Sequence, residues 1–186
     1  MEIVLLRHGK PNVELSGYLS TKELKQLVYD YAQSSIQDLP DEKLKSNFKD
    51  HFVVCSDLLR SLDSAKLLNL NNIHVSDALY RETDLPHFDK FNFKLPIIFW
   101  VVFLRVIWLF GFSKNGESYK QAKKRSRLAA DELIKLARKN EKILVVGHGL
   151  INRLIGQELH RRKWKVAKNE GKRYWEFSSY IYKTTP

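Results

Sequence analysis

The chain has 186 residues, 44% of them apolar and 28% charged, a composition that supports a full core and excludes a disordered or fibrous protein. The formal net charge of +11, from 32 Lys and Arg against 21 Asp and Glu, favours anionic partners: phosphoesters, nucleic acid or an anionic membrane surface. Cys55 is the sole cysteine, which excludes an internal disulfide, and with no signal-peptide pattern at the start it gives a cytoplasmic expectation.

The predicted elements alternate. IVLL (3–6) is apolar throughout and reads as a buried strand, followed at once by Arg7-His8-Gly9. Ser20-Thr21-Lys22-Glu23 has the form of a capping box, and Leu24, Leu27, Val28, Tyr31 and Ala32 continue at helical spacing to about residue 34. FVVC (52–55) predicts a second strand that leads into a helix carrying Leu58, Leu59, Leu62, Ala65 and Leu68. IHVS (73–76) predicts a third strand. A long helix is expected from near Gly116 through Ala137, then the strand KILVVG (142–147), ending in His148-Gly149 and followed by another helix. The aromatic YWEFSSYIY (174–182) reads as strand. The alternation predicts one α/β domain over residues 1–186, with a largely parallel central sheet flanked by helices.

In such sheets ligands bind beyond the carboxyl ends of the strands. Arg7, His8 and Gly9 follow one strand, Ser56 and Arg60 another, His148 and Gly149 a third. If these ends adjoin, two imidazoles and two guanidiniums converge on one point. Such a cluster suits a phosphoryl group: arginine offers forked donors, the glycines let backbone approach the ligand, and a neutral imidazole is a nucleophile that forms a phosphoramidate. Cysteine-based phosphatase chemistry needs Cys, five residues, then Arg; only four residues separate Cys55 from Arg60, so Cys55 is expected to be a buried strand residue.

LLRHGK (5–10), CSDLLRSLDSA (55–65), ALYRET (78–83) and VVGHGLINRLI (145–155) follow in the order of four motifs of the histidine phosphatase superfamily, and the chain resembles its phosphoglycerate mutase-like branch. The resemblance implies that fold, and a phosphomonoesterase working on a phosphorylated substrate through phosphohistidine. His8 would be the nucleophile; Arg7, Arg60 and His148, with Gly9 and Gly149, would bind the phosphoryl group; Glu82 would protonate the leaving oxygen and later activate water. Glu117 and Ser118, in a further family-like segment at a helix start, would contact a peripheral phosphate. No metal or other cofactor is implied, because the arginines supply the charge, and no nucleic acid is expected as partner. The acid phosphatase branch has His-Asp where this chain has His148-Gly149, which favours Glu82 as the acid. The glycine and tryptophan usual after that acid are replaced by TDLPHFDKF (83–91), so Asp84 stands as the alternative donor. KPNVELSGYLST departs from the family's loop after the first histidine, so no substrate contact is carried over there. Competing readings are mutase-type phosphoryl transfer, for which the chain is short, and a non-catalytic module binding phosphate or anionic membrane.

LPIIFWVVFLRVIWLFGF (95–112) has 18 residues and one charge, Arg105. A bilayer span needs about 20 apolar residues, and Arg105 at mid-length and Pro96 near the start oppose one. Three roles fit this insert: a buried helix, an aromatic cover through which Trp100 and Trp108 face a bulky or hydrophobic substrate, or a surface helix in peripheral contact with anionic membrane. The basic runs KQAKKRSR (120–127) and HRRKWKVAKNEGKR (160–173) are read either as solvated faces or as anion-binding surface.

Overall fold

Strands that are apolar on both faces need a layer of helices on each side. The computed structural model, which describes residues 1–70, 72–87, 92–114, 116–171 and 173–183, supplies both layers. β1 (Glu2–Arg7) lies parallel to β6 (Lys142–Gly147), with Leu5 opposite Val145 and Arg7 opposite Gly147. β3 (Phe52–Cys55) flanks β6 on its other side, with Cys55 opposite Val146, and β4 (Val75–Ser76) extends the parallel set. β8 (Phe177–Ile181) runs antiparallel beside β1, and β7 (Lys165–Asn169) antiparallel beside β8, giving the order β4-β3-β6-β1-β8-β7. The result is the expected α/β domain with a mostly parallel central sheet.

Alternation along the strands divides the core. Ile3, Leu5, Val54, Ile143 and Val145 meet α5 (Tyr119–Asn140) and α6 (Gly149–Arg161) through Ala129, Leu133, Ile151 and Ile155. Val4, Leu6, Val53, Cys55 and Val146 face the other way, onto Ala65 of α3 (Leu59–Leu67), Leu44 of α2 (Glu42–Ser46) and Phe48. α1 (Thr21–Gln33) starts with the predicted capping box: Ser20 accepts from the Glu23 amide and Glu23 from that of Ser20.

Boundaries differ from the sequence reading: the strand read at 174–182 is only Phe177–Ile181, residues 174–175 forming a turn. The strand expected at 73–76 is only Val75–Ser76, because β3 offers it two residues of pairing. The long helix begins at Tyr119, not near Gly116, because Ser118 caps it. Lys165–Asn169, read as part of a basic run, is an edge strand whose five residues are all exposed; its lysines oppose pairing with another edge.

The apolar insert contains a short strand, β5 (Leu95–Pro96), paired with β2 (Tyr18–Leu19), and α4 (Ile97–Leu109). No helix among the described residues is long and apolar enough to cross a membrane. Ile97, Trp100, Leu104 and Trp108 recur along one side of α4 and are buried. The indole N–H of Trp100 donates to the Leu19 carbonyl and that of Trp108 to the Glu117 carbonyl, each at 2.7 Å. The expectation that these two indoles form a substrate wall is therefore corrected: they anchor the insert. Trp108→Ala is expected to cost about 3–5 kcal/mol, lowering the melting temperature by roughly 10 °C in calorimetry. A loss below about 1 kcal/mol would contradict the anchoring role.

Candidate active site

β3, β6 and β1 are neighbours, so their carboxyl ends deliver Arg60, His148 and His8 to one place. The two imidazole rings lie 4.9 Å apart between centroids, edge to face. The Nδ1 of His8 is 2.7 Å from the Gly9 carbonyl, which can only accept; Nδ1 therefore carries the proton and donates. That leaves Nε2 with its lone pair, and it accepts from the Nε–H of Arg60 at 3.3 Å. The ring is fixed in the tautomer a nucleophile needs.

Burial is also electrostatic. His8 is only 1% exposed, and its pKa is held down to about 3, first by desolvation and then by the charge of Arg60, with a smaller push from Arg7. His148 is fully buried and held well below the ordinary histidine value by desolvation, then by His8 and the arginines. Neither of its ring nitrogens has a hydrogen-bond partner among the described residues. Both histidines are neutral at pH 7.

Small polar residues set this geometry. Ser64 of α3 accepts from the Gly9 amide at 2.9 Å and donates to the Arg60 carbonyl at 2.6 Å. Ser61 bonds the Val146 carbonyl, and Asn152 of α6 donates to the Leu6 carbonyl at 3.0 Å, tying helices to strand ends. The guanidinium of Arg60 also donates to the carbonyls of Tyr31 at 3.1 Å and Ala32 at 3.3 Å. Tyr174 lies with its ring 4.1 Å from the Arg7 guanidinium and 5.6 Å from His8, while Tyr31 stacks on Arg60 at 4.8 Å. Tyr31 and Tyr174 are hydrogen-bonded to each other, roofing the cluster. Trp175, next to Tyr174, holds a left-handed backbone (φ 63°), strained for a non-glycine residue and secured by its amide bond to the Arg7 carbonyl at 3.2 Å. Neither tyrosine was singled out from the sequence: they come from the end of α1 and from the turn before β8, remote from every histidine motif.

The Glu82 carboxylate sits at the start of α6, accepting from the amides of Leu150 and Ile151, both at 3.1 Å, and from Thr83 at 2.9 Å. Its charge is felt by Arg60. Asp84 is turned elsewhere, accepting from the Glu117 amide at 2.9 Å. No group of three or more His, Cys, Asp or Glu among the described residues could hold a metal ion.

A family model of the histidine phosphatase superfamily, branch 1, matches residues 3–171. The chain belongs to that superfamily. Among solved structures, the mycobacterial glucosyl-3-phosphoglycerate phosphatase Rv2419c is similar at 21% identity and a TM-score of 0.57, with 86% of this chain and 79% of that one covered. The phosphoserine phosphatase of Entamoeba histolytica is similar at 15% identity and a TM-score of 0.55, over 98% and 91% of the two chains. At these identities the likeness is one of fold. No curated protein sequence matches the chain.

Two expectations carried over from the superfamily are corrected. Glu117 grips Arg125 through two hydrogen bonds of 2.8 and 2.7 Å, and Arg125 in turn donates to the carbonyls of Leu79 and Arg81. Ser118 caps α5, its hydroxyl accepting from the Gln121 amide. Neither side chain is left for a peripheral phosphate. Gly9 and Gly149 differ in how closely their surroundings pack. At Gly9 an added Cβ would lie 2.2 Å from the Trp175 ring, so the absence of a side chain serves packing. At Gly149 it would meet Arg7 no closer than 3.5 Å, an ordinary contact. Gly9→Ala is therefore expected to lower stability by about 1–3 kcal/mol, while Gly149→Ala holds or gains up to about 1 kcal/mol, read by urea unfolding.

The depressed histidines make a pH prediction. In the unfolded chain His8 takes a proton as pH falls through about 6.5; in the fold it stays neutral to about 3. Stability is thus full above the upper value and declines as pH drops through this window. Replacing His8 by Gln should flatten that decline by up to about 1.4 kcal/mol per pH unit, measured by urea unfolding across the window. Parallel curves for both proteins would show that His8 is not held neutral.

Proposed function

We propose that this histidine phosphatase superfamily member is a phosphomonoesterase acting through a phosphohistidine intermediate. The observation that carries the reading is the state of His8: neutral, with its Nε2 lone pair facing Arg60 and with the unpartnered ring of His148 beside it. A phosphate ester entering between the rings replaces the Arg60–His8 hydrogen bond with Arg60–oxygen bonds, and charge-assisted contacts from Arg7 and Arg60 are stronger than the neutral one lost. Gly9 and Gly149 border this phosphate pocket as backbone.

His8 Nε2 then attacks phosphorus and the P–O bond to the leaving group breaks, while the Glu82 carboxylate, having taken up the proton that the phosphate monoanion brings, passes it to the departing oxygen. With Glu82 now a carboxylate, it takes a proton from water; the hydroxyl attacks phosphorus, the N–P bond breaks, and phosphate leaves. Arg7, Arg60 and His148 hold the three non-bridging oxygens, aimed at where charge accumulates. Glu82 is favoured over Asp84 because its carboxylate lies at the α6 terminus next to His148, whereas Asp84 is tied to the Glu117 loop. The two neighbours named as phosphatases of phosphorylated metabolites agree with this class of substrate.

His8→Ala should lower turnover of an aryl phosphate by at least about a thousandfold, roughly 4 kcal/mol in the barrier, and abolish an acid-labile phosphate label on the protein. Retained turnover would leave a phosphate-binding module as the reading. Glu82→Gln should slow alkyl phosphates by about 10²–10⁴-fold but aryl phosphates far less, because a good leaving group needs little protonation. Equal losses on both would remove Glu82 from the acid role.

A further inference from the structure

α4 is buried on one side and bare on the other. Ile98, Phe99, Val102, Phe103, Val106, Leu109 and Phe110 lie in one stripe along its length, and each is between 39 and 88% exposed. Their spacing of four and of three or four residues keeps them on a single face about 20 Å long. The bare apolar area is on the order of 800 Å², taking a fully exposed large side chain as about 200 Å², and exceeds the largest patch usual on a monomer. The stripe contains no charge and no side-chain hydrogen-bonding group. The one charged residue of the helix, Arg105, is directed inward, donating to the Thr83 hydroxyl at 2.9 Å and carbonyl at 2.9 Å and to the Asp84 carbonyl at 2.7 Å.

The surroundings are basic. From Asn92 to Lys124 the chain has Lys94, Arg105, Lys114, Lys120, Lys123 and Lys124 against one acid, Glu117, which Arg125 neutralises. Lys94, Lys114, Lys120 and Lys124 are exposed. Lys114 stands four residues beyond Phe110, and the start of α5 is held against the end of α4 by the Trp108–Tyr119 ring contact at 5.1 Å. Among the described residues, exposed acids close to this region include Asp84 and Glu23, the latter bridged to Lys94 at 2.9 Å.

We propose that the outer face of α4 is a membrane seat, lying in the headgroup region of an anionic bilayer with the neighbouring lysines on lipid phosphates. Charge and shape select this occupant. A protein interface of this size normally carries a hydrogen bond for each 100–200 Å² and aromatic residues with polar handles, and the stripe offers neither. A helix whose backbone is satisfied internally and whose face is wholly apolar is what lipid accepts, and a basic rim adds attraction to anionic headgroups. The seat lies on the element that Arg105 ties to the segment next to Glu82, so it would hold the candidate active site close to the bilayer surface.

The full chain is sedimented with phosphatidylcholine vesicles, with and without phosphatidylserine. The wild type should pellet with the phosphatidylserine vesicles and be released in part by high salt. Val102→Glu with Phe110→Glu should lower the partition coefficient at least about tenfold, with melting temperature and aryl phosphate turnover unchanged. Hydrogen exchange on the wild type is a check free of any variant: amides of 98–110 should gain protection on adding these vesicles. A wild type that stays in the supernatant, or a double variant that binds equally well, overturns the proposal. So does a wild type that dimerises without vesicles through contacts the double variant abolishes, for then a second copy covers the face. A protein that seats on vesicles but turns over no phosphate ester removes the phosphatase reading and leaves the seat; an active enzyme that ignores vesicles does the reverse.

Discussion

A neutral imidazole held within reach of two guanidiniums is the constraint on which this site depends. In water such a ring would be protonated in part and free to turn. Here desolvation and the adjacent positive charges push its pKa far down, while the Gly9 carbonyl fixes the tautomer. The same arginines that keep His8 neutral are the groups able to bind an incoming dianion. Charge that disfavours a proton favours a phosphoryl group at the same point, so the proposed nucleophile and the proposed anion pocket would both follow from a single electrostatic arrangement.

Sheet order makes this arrangement affordable in a chain of modest size. Because β6 lies between β3 and β1, three parallel strands from distant parts of the sequence end side by side. Each contributes one functional group, and the small residues Ser61, Ser64 and Asn152 bond the following helices back onto the strand ends. Glu82 joins from outside the sheet by accepting the first free amides of α6, where the helix dipole favours a carboxylate. Its position therefore follows from that of His148, which precedes the same helix.

What was legible in the sequence was whatever local pattern dictates. Apolar runs ending in histidine mark strand ends, and Ser20 with Glu23 marks a helix start; both appear in the fold as read. The superfamily motifs located Glu82, which the strand ends alone could not bring to the histidines. Tyr31, Tyr174 and Arg105 were not read as site neighbours because their partners are fixed only by tertiary packing. Glu117 was misread for a related reason: a carboxylate near a helix start looks like a ligand group until a half-buried arginine, eight residues on, is seen to claim it. The basic run at 160–173 concealed β7, since an edge strand with every side chain in solvent has no apolar alternation to betray it.

α4 shows most clearly where periodicity stops being informative. A helix apolar on all sides reads from sequence as buried or membrane-spanning, and length excludes the span. Burial on all sides would require protein on its outer face as well, and none of the described residues lies there: the inner side seats Trp100, Leu104 and Trp108 against Leu24, Ala122 and Leu154, and the outer stripe is exposed among the described residues. Exposed apolar area of this extent costs free energy in water, while folding needs only the inner side and the Arg105 bonds to stay in place. The outer residues thus contribute nothing to the fold that smaller polar ones would not. Their size and uniform apolarity fit the proposed seat, in which something less polar than water covers them during part of the protein's working life.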